Sequence, residues 1–395
     1  MTKGNLLIIQ GGGPTAVFNA SLSAAIAESS RHDVFGRIYG SRSGLLGLVR
    51  GNYADLDRLD SRELRLLRAS PGAALGTSRY KPAEADFEQM LTHLRRCEIG
   101  YLLFIGGNGT MRGAEVVCAF CKDAGFDVRV ICVPKTVDND LTGTDRSPGY
   151  GSAARYIAQS TRDLGCDVRS LPQPVSILET MGRSVGWLAG AAALAKRDEH
   201  DAPHLVYVPE RVFVLDTFLG DLERLLTQQA WAVVVVAEGL RDADGSLVYQ
   251  TSNTAQFDAL RRPLTGGVGE YLSGIVADRL RIRCRSEKPG ILGRASMVHV
   301  SAQDMDEAEL VGRAGVTALA EGHSGKMVAL HPMAASGKAQ CDLVELSTVA
   351  GRERTIPARY LSDGPLSVNQ SFISYAAPLA GKLPEYFHGA SIGLG

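Results

Sequence analysis

Residues 128–140 read VRVICVPKTVDND. The first six residues are almost continuously apolar and are followed by Pro134. A run of this kind and length reads as a strand buried on both faces, as in a parallel sheet covered by helices. Lys135, Asp138 and Asp140 follow at once. In parallel α/β sheets ligands bind beyond the carboxyl ends of the strands. Opposed charge in that position therefore points to a binding site. Asp138 and Asp140 are two residues apart, so an extended segment would aim both carboxylates the same way.

The same pattern recurs along the chain. LLIIQ (6–10), YLLFIGG (101–107), PVSILET (174–180), LVYVPE (205–210) and AVVVVAEG (232–239) read as further buried strands. Helical patterns lie between them, such as NASLSAAIAESSRH (19–32) and ADFEQMLTHLRRC (85–97). The alternation predicts right-handed βαβ units in a three-layer α/β fold. At 395 residues the chain has room for two such domains. RDADGS (241–246) reads as a turn.

Composition excludes several function classes. The 42 basic and 43 acidic residues leave a formal net charge of −1, which gives no footprint for nucleic acid or anionic lipid. No apolar run approaches the roughly 20 residues needed to cross a bilayer. The apolar stretch in MTKGNLLIIQ is too short for a secretory signal and reads as a first strand. Seven scattered cysteines suit a reducing cytoplasm rather than a disulfide framework. Cys118 and Cys121 form a C-x-x-C within a helical pattern, with no second ligand pair at zinc spacing, and read as core residues.

Two more strand ends are rich in glycine. After LLIIQ comes GGGPTAVFNAS (11–21), where glycines let backbone amides approach an anion and Pro14 suits a first helical turn. This stretch approximates the dinucleotide fingerprint, but no strand ends in a ribose-binding acid about 20 residues later, which disfavours a nicotinamide dehydrogenase. After YLLFI comes GGNGTMRG (106–113). Two such loops together favour phosphate binding, with Asn108 offering an amide to a phosphate or a metal-bound water. Lysine beside paired carboxylates suits Mg²⁺ and phosphoryl transfer.

The ordered set GGGPT (11–15), GGNGT (106–110), PKTVDND (134–140), PGYGSAA (148–154), ETMGRSVGW (179–187), PE (209–210) and AEG (237–239) resembles the phosphofructokinases. SFISYAAPLAGKLPEY (371–386) resembles their longer, pyrophosphate-type branch. The resemblance implies two Rossmann-like domains with mainly parallel sheets and an active site in the cleft between them. It implies a donor-binding domain of residues 1–145 plus about 258–318, and a sugar-phosphate-binding domain of 146–257 plus about 319–395. The implied reaction is Mg²⁺-dependent phosphoryl transfer from ATP or pyrophosphate to the 1-hydroxyl of fructose 6-phosphate, by a cytoplasmic homodimer or homotetramer.

By the same resemblance, Asp138 is the general base, with Asp140, Lys135 and Thr136 in its loop. Gly11, Gly12, Arg79, Gly107, Asn108, Gly109 and Thr110 would hold the donor. Met181, Gly182, Arg183, Glu238, Lys288 and Arg294 would hold the sugar phosphate. Asn108 and Asp140 would serve the metal. Gly109 stands where pyrophosphate users carry an acidic residue, which favours ATP, whereas Lys135 is the pyrophosphate-type residue. Asn108 replaces an aspartate of the shorter ATP enzymes. In PGILGRAS (289–296), Gly293 and Ala295 replace the glutamine and serine of the family's PGTLQRS, and Pro174 stands near the place of an arginine supplied by a neighbouring subunit. These departures leave room for another acceptor, such as sedoheptulose 7-phosphate or a specialised-pathway substrate. A non-catalytic metabolite sensor is the alternative of a different class, disfavoured by the intact Asp138, Asp140 and Lys135.

Overall fold

Leu6, Leu7, Ile8 and Ile9 are all fully buried, and they divide by parity between two cores. Leu6 and Ile8 pack with Phe18, Leu22 and Val311. Leu7 and Ile9 pack with Met90, Leu94, Met111 and Val117. Successive side chains of a strand point to opposite faces, so this division makes the strand the middle of three layers. Helices Phe18–Ser29 and Ala302–Ala320 cover one face, and Glu84–Arg96 and Asn108–Asp123 the other. A computed structural model describes residues 4–170, 174–250, 266–333 and 339–387 of the chain.

The strands are β1 Gly4–Gln10, β2 Phe35–Ser41, β3 Tyr53–Asp55, β4 Ile99–Gly106, β5 Arg129–Pro134, β6 Val175–Thr180, β7 Leu205–Tyr207, β8 Ala232–Ala237, β9 Cys284–Glu287, β10 Lys326–Leu330 and β11 Cys341–Glu345. All six predicted strands are present. One sheet runs β11-β10-β5-β4-β1-β2-β3. Its interior pairings are parallel, and only the edge pairs β2–β3 and β10–β11 are antiparallel. A second sheet runs β7-β8-β6-β9, parallel throughout. Its core gathers Val175, Ile177, Val234 and Val236 with Phe218 and Leu222 of helix Leu215–Gln228 and Leu272 and Val276 of helix Val268–Leu280.

The chain divides into two units. The first holds the described residues of 4–150 and 294–354, and the second those of 151–293 and 355–387. The opening segment of the first unit runs to Tyr150. The expected return near 258 lies outside the described residues. The expected span of 258–318 is corrected on both sides: residues 266–293 belong to the second unit and 319–354 to the first. The reason is pairing, because β9 adds to the second sheet beside β6, whereas β10 and β11 extend the first sheet beyond β5.

Among the described residues, no helix is long and apolar enough to cross a membrane. The seven cysteines are free thiols. Cys118 and Cys121 lie within helix Asn108–Asp123 and pack into its core, where burial pushes the Cys121 thiol up to about 12. RDADGS is a turn in which the Asp242 carboxylate accepts from the amides of Asp244 and Ser246.

Candidate active site

Register brings three strand ends of the first unit together. Gln10 pairs with Ile105, and Gly106 with Pro134. The Gly11 amide donates to Ile105 O, and the Lys135 amide to Gly106 O. β1 lies between β4 and β2, so the strand order reverses there, which is the place where open parallel sheets form their binding crevice. Close approach explains two of the glycines. A Cβ on Gly11 would stand 2.4 Å from Thr110 Oγ1, and one on Gly106 2.2 Å from it. Gly12 and Gly13 are exposed beyond them, Gly12 with φ +81°. The helix expected to open at Pro14 starts at Phe18 instead, because Thr15 first pairs with Gly72.

Gly107 caps helix Asn108–Asp123. The first turn of a helix presents amides without intrahelical partners and favours an anion. Asn108 is fixed by its own side chain: Nδ2 donates to Asp140 Oδ2 at 2.8 Å and to Asp140 O at 3.1 Å. Its Oδ1 is buried with no hydrogen-bond partner among the described residues. Gly109 is exposed, and a Cβ there would meet nothing within 4 Å.

The loop after β5 turns rather than extends. Asn139 is fully buried at φ +56°, its Oδ1 accepting from the Ser147 amide at 3.1 Å. This corrects the expectation that Asp138 and Asp140 face one way. Asp140 is 6% exposed and tied to Asn108, while its carbonyl accepts from the Arg354 amide at 2.8 Å. Asp138 is the one residue from Lys135 to Asp140 that is not buried. Its amide donates to Thr136 Oγ1 at 3.1 Å, so Thr136 shapes the turn that presents it. Lys135 is 2% exposed, yet its Nζ donates to Gly13 O at 2.5 Å and sits 4.4 Å above the Phe18 ring. Phe18 escaped the sequence reading; a ring face is a soft partner for a buried ammonium.

Arg79 is exposed on the loop that follows Gly72. Asn19 Oδ1 accepts from the Ala74 amide at 2.9 Å and Gln10 Oε1 from the Leu75 amide at 3.0 Å, pinning that loop to the β1 end. Arg294, expected among the acceptor residues, belongs to the first unit. Its Nη1 lies 3.1 Å from where a Cβ on Gly13 would stand.

The second unit gathers most of the remaining residues. Thr180 pairs with Ala237, so Met181 and Glu238 leave adjacent strands side by side. Gly182 has φ +137° and Arg183 φ +54°, and the Arg183 amide donates to Glu238 Oε1 at 2.9 Å. A Cβ on Gly239 would stand 1.7 Å from Arg183 O, which explains the glycine of AEG. Met181 is half-buried and Arg183 exposed. Lys288 Nζ lies 2.8 Å from Glu179 Oε1. Glu179 was not singled out in the sequence, although it opens the ETMGR motif.

Gly293 carries no backbone strain, and a Cβ there would make ordinary contacts of 3.6 Å with Pro289 Cβ and Tyr156 Cδ1. A larger side chain therefore fits at its root, so packing at that point does not dictate the missing glutamine.

No group of three or more His, Cys, Asp or Glu side chains that could hold a metal occurs among the described residues. The oxygens of Asn108 and Asp140 are hard donors, too few to enclose an ion alone. They suit Mg²⁺, which keeps waters and shares its shell with substrate phosphates.

Comparison with known proteins agrees with this geometry. The family described as "Phosphofructokinase" matches residues 5–319. The chain belongs to the phosphofructokinase family. It is 34% identical to a pyrophosphate–fructose 6-phosphate 1-phosphotransferase of Rhodospirillum rubrum, over 98% of this chain and 97% of that one. It is 36% identical to a sulfofructose kinase of Alkalicoccus urumqiensis, over 90% of this chain and 91% of that one. The crystal structure of a pyrophosphate-dependent phosphofructokinase from Marinobacter aquaeolei matches with a TM-score of 0.86 and 30% identity, covering 98% of this chain and 94% of that one. The phosphofructokinase fold, with two Rossmann-like domains and mostly parallel sheets, is thus the fold of this chain.

Proposed function

We propose that this chain transfers the terminal phosphoryl group of pyrophosphate or ATP to the 1-hydroxyl of fructose 6-phosphate, giving fructose 1,6-bisphosphate. The observation that carries the reading is the loop after β5, which buries its other charged residues and leaves Asp138 accessible. Asp138 accepts the proton as the sugar oxygen attacks phosphorus. The new O–P bond forms as the bridging O–P bond of the donor breaks, and phosphate or ADP leaves. Amides of Gly12, Gly107 and Gly109, with Arg79 and Lys135, hold the donor oxygens and the charge spread over them. Gly11 and Thr110 shape that cradle. Met181, Gly182, Arg183, Glu238, Lys288 and Arg294 orient the acceptor. Thr136 and Asp140 hold the geometry of the base. Mg²⁺, held by Asn108 and Asp140, would neutralise charge on the donor phosphates.

The expected preference for ATP is not retained. Gly109 leaves the space that a nucleotide needs, but the Rhodospirillum relative and the Marinobacter structure are both named for pyrophosphate. A second acceptor reading is favoured by a specific observation. Gly293 and Ala295 remove two polar side chains from the stretch read as gripping the 6-phosphate, and a relative of similar identity is named for sulfofructose. The reading is tested by incubating each donor with fructose 6-phosphate, sulfofructose and sedoheptulose 7-phosphate and following phosphorus NMR. A sugar 1-phosphate product supports phosphoryl transfer, and the best kcat/KM identifies donor and acceptor. No transfer from either donor would sink the reading.

A further inference from the structure

Glu179 is the penultimate residue of β6, two positions before Met181, and it is 2% exposed. A buried carboxylate is costly unless it is paired and hydrogen-bonded. Here the donors come from a distant part of the chain. The Gly267 amide lies 2.9 Å from both carboxylate oxygens, and the Gly269 amide 2.9 Å from Oε2. Both amides belong to the start of helix Val268–Leu280, which Gly267 caps. Lys288 Nζ supplies the fourth contact, 2.8 Å from Oε1.

Two amides at a helix start would be enough for a purely structural cap. The lysine is the additional feature. Its side chain is 47% exposed, and an ammonium carries three donors, more than a single carboxylate oxygen takes up. The preceding backbone is built around it. Gly266 has φ +119°, and a Cβ there would stand 2.1 Å from Lys288 Nζ and 3.0 Å from Glu179 Oε1. The glycine keeps open the place that the lysine head occupies.

We infer that Glu179 is a positioning residue for acceptor binding. It fixes the Lys288 ammonium and the start of helix Val268–Leu280 relative to the Met181–Arg183 turn, so that Lys288 meets the anionic end of the acceptor already ordered. A cation immobilised beforehand loses less conformational freedom on binding than a free surface lysine. The inference rests on the phosphotransferase reading and extends it to a residue that never touches the reacting atoms.

The test is steady-state kinetics of the full chain carrying Glu179→Gln, Lys288→Met, the double substitution, or Gly266→Ala, with thermal melting of each. The expected result is an acceptor KM raised about tenfold by each single change, with kcat and donor KM within about twofold. The double variant should be no worse than the poorer single, because both remove one unit. Lys288→Met alters a half-exposed side chain, so its result does not depend on the folding of the Glu179 variant. Gly266→Ala displaces the lysine while leaving the carboxylate in place, and should raise the acceptor KM alike. An unchanged acceptor KM in Lys288→Met, equal rises for donor and acceptor, or fully additive losses would overturn the inference. Absence of transfer by the unsubstituted chain would instead overturn the reading beneath it.

Discussion

The Asn108 side-chain amide donates to the Asp140 carboxylate across 2.8 Å, joining the start of helix Asn108–Asp123 to the loop after β5. The pair was expected to serve a metal, and the geometry gives it a second task. With asparagine, the contact is a hydrogen bond that stands without a cation. Asn108→Asp would set two carboxylates against each other at that distance.

Asn108→Asp should therefore make stability depend on a divalent cation. In chelator the variant loses both Nδ2 hydrogen bonds to Asp140, one of them to the carboxylate, and gains a like-charge contact, about 1–3 kcal/mol. The melting temperature should fall by about 5 °C and recover on adding Mg²⁺. Equal melting of the two proteins with and without Mg²⁺ would contradict the pairing.

Gly109→Asp tests the donor. The position is exposed and open, and an acidic residue in the first helical turn suits the helix dipole, so folding should be unaffected. The carboxylate should lower kcat/KM for ATP at least about tenfold more than for pyrophosphate. Equal losses with both donors would show that position 109 does not select between them.

His204 supplies a pH dependence outside the site. Its Nδ1 accepts from the Val233 amide at 2.9 Å and its Nε2 faces His200 O, the pattern of a neutral ring. Burial, reinforced by the nearby Lys196 charge, lowers its pKa to about 4. An unfolded histidine takes up its proton near pH 6.5. Between about 6.5 and about 4 the unfolded chain binds the proton and the folded chain does not, so stability falls as pH falls through that window. Urea unfolding should show about 2 kcal/mol less contribution from this ring at about pH 5 than at neutral pH. His204→Gln should flatten that part of the profile. An unchanged profile in the variant would contradict the assignment.

The sequence was most legible where burial is complete. β1, β4, β5, β6 and β8 are apolar almost without interruption because helices cover both of their faces. β2, β3, β9, β10 and β11 went unread because they are edge or near-edge strands, and CRSE at β9 has two exposed residues in four. That omission also displaced the second domain boundary, since β9, β10 and β11 decide which sheet each segment joins. Within the candidate site, the glycines and Asp138 were singled out from motif chemistry. The turn at Asn139 was not, because a buried left-handed asparagine leaves no periodic trace. Glu179 was missed because its partners Gly267 and Gly269 lie 88 and 90 residues away, and only the fold brings them together.

The assignment of Asp138 is tested most directly by comparing the unsubstituted chain with Asp138→Asn, following fructose 1,6-bisphosphate formation by phosphorus NMR at saturating fructose 6-phosphate and the better donor. In the Asn variant kcat should fall by about 10²–10⁴-fold, the usual contribution of a general base, with both KM values nearly unchanged. An Asn variant that keeps most of its activity would contradict it.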